Sequence, residues 1–224
     1  MREIILDLET TGLKVEEGHR VIEIGAVEVV DKIRTGNVFH QFVNPERSVS
    51  PGAFSVHGIS NEFLSDKPKF AEVAQDFLKF IGTDKLVIHN ASFDIKFINA
   101  EFFRLGIKEI EYSRTIDTLM IARRKFPGSP ASLDFLCKRF NISTKMRQEK
   151  GHGALLDSEL LYKVYICLTE GLQAELKFTK ASSNANSAIC QQAKPVMPKR
   201  SFSHEEDNKA HEEFIKAIAD KACG

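Results

Sequence analysis

Three short stretches carry the chemistry in this sequence: Asp7 and Glu9 in LDLETTG, Asp94 in HNASFD, and His152 with Asp157 in HGALLD. Each lies in apolar surroundings that ordinarily exclude charge. Residues 4–8 read Ile-Ile-Leu-Asp-Leu, an interior strand interrupted by one carboxylate. Residues two apart on a strand share a face, so Asp7 and Glu9 project together, about 6–7 Å apart. Two like charges at that spacing on a mostly buried strand repel each other and resist desolvation. A bound cation relieves both. A set of carboxylate oxygens, with no thiolate and no paired histidine, suits Mg²⁺ or Mn²⁺ and not zinc.

Asp94 and Asp157 repeat the pattern on helices. Asp94 opens a stretch in which Phe97, Ile98, Phe102 and Leu105 recur at helical spacing, and Asp157 stands three, four, seven and eleven residues before Leu160, Leu161, Val164 and Leu168. A carboxylate on a core-facing stripe is costly unless paired. The plain alternative for each is a first-turn acid favoured by the helix dipole. Four such acids in one chain point instead to a shared cation site. Hydrolysis of a phosphodiester needs a nucleophilic hydroxide and neutralisation of the charge that develops, and two divalent metals supply both. His152 adds a base with an ordinary pKa near 6.5. Gly151 and Gly153 flank it, which predicts a flexible loop just ahead of the Asp157 helix. A lone loop histidine is otherwise a surface residue; its place five residues before Asp157 argues for the base.

The elements that must position these groups read as one α/β domain over residues 1–178. Strands are predicted at 3–8, 21–30 and 37–43, with Ile22, Ile24 and Ala26 on one face of the second. The Thr-Gly-Asn of DKIRTGN predicts the hairpin turn between the second and third. Helices are predicted at 70–81, 93–105, 117–125, 132–140 and 154–169, with short strands at 86–88 and near 110–115. A hairpin followed by alternating strands and helices implies a mixed sheet with helices on its faces. Residues 179–203, rich in Ser, Ala, Asn, Gln, Lys and Pro, read as a flexible linker. Residues 204–224 read as a short helix whose apolar stripe, Phe214, Ile215 and Ile218, is too narrow to form a core.

Composition narrows the class. Apolar content of 42% fits a globular protein, and no run approaches the ~20 apolar residues of a membrane span. The N-terminus enters a strand directly, which predicts no signal peptide. Cys137, Cys167, Cys190 and Cys223 lack zinc-ligand spacing and read as reduced cytoplasmic thiols. Lys and Arg total 31 against 31 Asp and Glu, which argues against broad electrostatic capture of duplex nucleic acid but allows a small site where metal offsets phosphate.

DLETTG, HNASFD and HGALLD resemble the three exonuclease motifs of the DEDD superfamily, and the histidine of the third marks the DEDDh branch. The likeness extends through EGHRVIEIGAVEVV, VHGISNEFL, KPKFAEVA, LVIHNASFDI and FPGSPASLDFLCKRF, in order. That run is similar to the proofreading epsilon subunits of bacterial DNA polymerase III. The resemblance implies a ribonuclease-H-like fold and 3′→5′ removal of mispaired nucleotides in the bacterial cytoplasm. It places Asp7, Glu9, Asp94 and Asp157 as ligands of two Mg²⁺ or Mn²⁺ ions and His152 as the general base. Leu8 stands where many such subunits have a polar residue; its side chain is expected to point away from the acids. Contacts to the 3′ nucleotide are expected from Asp7, Glu9 and Asp157, from Thr10 in the turn with Thr11 and Gly12, from His57, and from Asn90 and Phe93 around the second motif. A turn, a structural histidine and core packing are the plainer readings of Thr10, His57 and Phe93. His19, His40 and His89 read as structural, Asp117 and Asp134 as helix-start acids, and Ser132 as a cap for the latter.

Gln173, Leu176 and Phe178 resemble the short peptide by which polymerase partners enter the sliding-clamp pocket, where two apolar anchors fill the pocket and the amide orients them. The terminal helix is then the element for the polymerase catalytic subunit, and the resemblance leaves room for a small accessory subunit. Two other readings stay open at this level. A DEDDh nuclease of RNA shares the five catalytic residues, though it has no need of the 173–178 motif or the tail. A non-catalytic scaffold between clamp and polymerase has no need of intact carboxylates.

Overall fold

The apolar run near the N-terminus forms β1 (Arg2–Thr10), the central strand of a five-stranded sheet ordered β3-β2-β1-β4-β5. The computed structural model describes residues 1–177, apart from the side chains at 148, 150 and 170–177. β2 (Val21–Val30) and β3 (Ile33–Phe42) make an antiparallel meander with β1; β4 (Lys85–Ile88) and β5 (Thr115–Asp117) run parallel to it. This is the mixed sheet the sequence predicts.

Strand alternation divides the core into two layers. Ile4, Leu6 and Leu8 pack with α3 (Phe70–Ile81) and α4 (Ala91–Arg104), where Phe70, Phe77, Phe97 and Phe102 are buried. Ile5, with Val27, Val29 and Val87, packs on the opposite layer of α5 (Thr118–Lys125), α6 (Leu133–Arg139) and α8 (Ala154–Lys177). The period of two therefore sends Asp7 and Glu9 to the α8 side and Leu8 away from them, as expected. The stripe of α8 holds as read, with Leu160, Leu161, Val164 and Leu168 buried. That of α4 ends a turn early, since Leu105 is exposed beyond the helix.

Several expectations are corrected. The hairpin turn is Asp31-Lys32, both at positive φ (49° and 68°), the tight geometry that matches strand twist. Thr35-Gly36-Asn37 lies inside β3, where Thr35 and Asn37 side chains both donate to Glu28 Oε2 at 2.7 Å. Ile22 does not share the layer of Ile24 and Ala26. It is the extra residue of a bulge opposite Glu9 and Thr10, and it turns to a small cluster with Val49, Ile59 and Leu64. The last strand lies at 115–117 because 112–114 form a 3₁₀ turn. Three short helices were not anticipated: α1 (Pro51–His57), α2 (Asn61–Leu64) and α7 (Lys145–Lys150). Each is too brief to show a periodic stripe. Ser50 and Ser60 cap the first two, accepting from Ala53 N and Phe63 N. His57 consequently ends a helix. No helix among the described residues is long and apolar enough to cross a membrane.

Candidate active site

Parallel pairing of β1 with β4 covers only Glu3–Ile5, so β1 runs on past its neighbour. The crevice this leaves, beyond the C-terminal end of β4, is where open α/β sheets bind ligands. Asp7 and Glu9 stand at that end of β1. Asp94 enters from the first turn of α4, and its charged form is favoured by the N–H groups of Leu8 and of Asp94 itself. Asp117 fixes that helix start: its carboxylate accepts from Asn90 N and Ala91 N at 3.2 Å while also capping α5 through Leu119 N at 2.9 Å. Asp157 comes from the first turn of α8, so both helical acids are first-turn acids and cleft acids at once.

A glycine brings α8 close enough. Gly25 on β2 is the register partner of Asp7, and a Cβ there would lie 2.2 Å from backbone atoms of Ala154 and Leu155. Ser158 Oγ donates to Gly25 O at 2.8 Å and locks the contact. His152 lies between α7 and α8; its backbone N–H donates to Val56 O at 3.3 Å, tying that segment to the end of α1.

The result is one cleft of about 320 Å³ lined by Asp7, Glu9, Asp94, His152 and Asp157. Asn90 and Phe93 line it too; Phe93 also packs on Phe97, ring centroids 4.8 Å apart. Thr10 and His57 do not form its wall. Thr10 Oγ1 donates to Gly12 O at 2.7 Å, the turn reading of the sequence. His57 is buried, its Nδ1 accepting from Ile59 N at 2.9 Å. Gln173 and Leu176 fall in the last turns of α8, but their side chains, Phe178 and residues 179–224 lie outside the described residues.

Some residues at the site were not foreseen. Arg147, on α7, lines the cleft; its NH2 donates to Asp157 Oδ2 and to His152 Nδ1, both at 2.8 Å, and its NH1 pairs with Asp134. In the polar run KMRQEK nothing distinguishes this arginine from surface charge. His89 lines the cleft as well as bonding Thr118 Oγ1 at 2.9 Å. Glu23 is buried directly opposite Glu9 in the β1–β2 register and is bonded by His40 Nε2 at 2.7 Å. The alternation of β2 could have revealed it, since Glu23 is an acid between the apolar Ile22 and Ile24. His19 bonds Thr11 Oγ1 at 2.9 Å, and Ser132 caps α6 by accepting from Phe135 N, as read.

So much negative charge in one place is strained. Burial raises Asp7 well above the usual carboxylate range, with Asp94, Asp157 and Glu9 adding to it. Burial, then Asp157 and Glu23, pushes Glu9 up to about 8; burial pushes Asp94 to about 8 and Asp157 to about 6, the last held down by Arg147. His152 is lowered, by burial and then by the Arg147 charge. Asp157 Oδ1 is buried without a hydrogen-bond partner, and ligand atoms of Glu9, His152 and Asp157 lie within 4.8 Å of one another. An oxygen-rich set with an orphaned carboxylate oxygen fits a hard divalent cation.

Fold and cleft together define an exonuclease of the DEDDh type. The RNase_T family of exonucleases matches residues 4–165. DNA polymerase III subunit epsilon of Rickettsia typhi is 49% identical over 224 residues, covering 97% of each chain. That of Escherichia coli is 50% identical over 177 residues, 76% of this chain and 72% of its own. Exonuclease X, solved in complex with 5′-overhanging duplex DNA, is 28% identical with a TM-score of 0.60, covering 75% of this chain and 92% of the other. The chain belongs to this exonuclease family and, within it, to the DNA polymerase III epsilon subunits. Divalent-metal dependence comes with that membership.

Proposed function

We propose that this protein removes mispaired nucleotides from DNA 3′ ends as the proofreading subunit of a bacterial replicative polymerase, working in the cytoplasm. The observation that carries the reading is the convergence of Asp7, Glu9, Asp94, Asp157 and His152 on one cleft, with Asp157 Oδ1 left unpartnered. The four carboxylates would hold two divalent cations, Mg²⁺ or Mn²⁺, which when bound lower the pKa of water and offset charge on the phosphodiester. His152 takes the proton of the attacking water. Phe93 and Asn90 bound the space for the last nucleotide, and Thr10 and His57 support the adjoining turn and loop. A cleft of this size admits single-stranded nucleotides, so the 3′ end must leave its duplex first, at least cost when it is mispaired.

In this reading Gln173, Leu176 and Phe178 enter the sliding clamp, and Phe214, Ile215 and Ile218 dock on the polymerase catalytic subunit. Digestion of paired and 3′-mispaired DNA beside matched RNA tests the assignment. Mononucleotides should leave the DNA 3′ end, fastest when mispaired, and chelation should stop the reaction. Preferential digestion of RNA would replace proofreading with RNA trimming.

A further inference from the structure

Arg147 holds two of the groups that the reaction needs. A guanidinium only donates, so His152 Nδ1 is bonded here as an acceptor, and its lone pair is not free to take a proton from water. The same NH2 group donates to Asp157 Oδ2, beside the orphaned Oδ1. The Arg147 side chain is 9% exposed, its Nε has no partner, and it is the one Lys or Arg side chain among the described residues lining the cleft. A guanidinium and a divalent cation cannot share Asp157 at this range, because like charges repel strongly in a partly desolvated site. The arginine also sits on a helix of only six residues, Lys145–Lys150, joined to α8 through Gly151 at φ 82°. A one-and-a-half-turn helix has little cooperative stability of its own and can shift as a unit.

We propose that Arg147 is the built-in counter-ion of the acid cluster: it holds Asp157 and His152 until a divalent cation displaces it, and so competes directly with metal. The inference rests on the divalent-cation reading of the cleft. Loading the site then does two things at once. It fills the acid cluster and releases His152 Nδ1 to act as base. Loss of the competing charge should make metal bind more tightly, which is the reverse of what a merely supporting residue would do.

The experiment is calorimetric titration of Mn²⁺ into the chelator-stripped, full 224-residue protein, as wild type, Arg147→Gln and Arg147→Lys, with melting of the metal-free forms alongside. Arg147→Gln should lower the Mn²⁺ dissociation constant roughly ten- to a hundredfold, the equivalent of a charged hydrogen bond no longer to be broken. It should also lower the metal-free melting temperature while narrowing the gap to wild type once Mn²⁺ is bound. Arg147→Lys keeps the charge without the planar fork and should fall between the two. It carries the test if the Gln variant does not fold without metal. An unchanged or weakened Mn²⁺ affinity in both variants overturns the proposal and leaves the metal site standing. No Mn²⁺ binding by any of the three proteins overturns the cation reading and the proposal together.

Discussion

At the scale of single residues, the cleft is costly to keep without metal, and the cost has a definite pH dependence. Glu9 and Asp94 titrate near 8 in the folded chain, far above the ordinary range near 4 of an unfolded carboxylate. The folded state therefore binds more protons than the unfolded state between about pH 4 and 8, and stability falls as pH rises through that window. Melting in chelator should drop from pH 5 to pH 8 and flatten above it, and Mg²⁺ should stabilise most at the upper end. Asp7→Asn should raise the metal-free melting temperature by roughly 3–6 °C, the shift of about 1–2 kcal/mol in a chain of this size, while abolishing nucleotide release. A variant that melts lower than wild type in chelator would show that Asp7 contributes more by its contacts than it costs by repulsion. His152→Ala should keep metal binding but slow hydrolysis by about 10²–10⁴. The acid limb of the wild-type rate should lie below pH 6.5, since burial lowers this histidine. A pH-rate profile of both proteins checks it.

At the scale of elements, the site depends on how closely α8 meets the sheet. Gly25→Ala puts a methyl group into the backbone of Ala154 and Leu155. It should cost about 1–3 kcal/mol by overpacking. It should also lower the turnover more than tenfold, because Asp157 and His152 ride on the displaced segment. Melting and steady-state kinetics on one preparation separate the two effects; full turnover with reduced stability would mean that α8 tolerates the shift. This contact also marks what the sequence could and could not reveal. Asp7, Glu9, Asp94 and Asp157 were legible because charge in an apolar period is conspicuous, His152 through its place five residues before Asp157, and α3 because its stripe is long. Gly25 was visible only as a glycine inside a strand, the usual sign of a close backbone approach, but nothing named α8 as the neighbour. Arg147 and the helix around it were not legible, because a six-residue helix whose one apolar residue is Met146 has no apolar period, and its partners lie elsewhere in the chain. The hairpin turn was misplaced by choosing Thr-Gly-Asn, where Asp31 and Lys32 take positive φ instead.

At the scale of the whole molecule, the nuclease and its partner-binding segments should separate. Truncation after residue 178 removes none of the described core and should leave nucleotide release from free DNA intact. The same truncation should abolish binding to the polymerase catalytic subunit, whereas Leu176→Ala with Phe178→Ala should weaken clamp binding by about 1–3 kcal/mol per anchor. Titration with purified clamp and polymerase subunit measures both, and a truncated chain that still binds the polymerase would move that contact into the exonuclease domain. The distances along the chain carry one more consequence. Ser158 bonds Gly25 across 133 positions, and Tyr165 Oη donates to Glu3 Oε1 across 162. β1 leaves the ribosome with two of its acids long before α8 can supply the fourth acid, with the histidine just ahead of it. A nascent chain stalled anywhere before residue 152 thus carries an unfinished cutting edge. By the order of synthesis alone, the full set of five groups is assembled only once nearly the whole domain has been made.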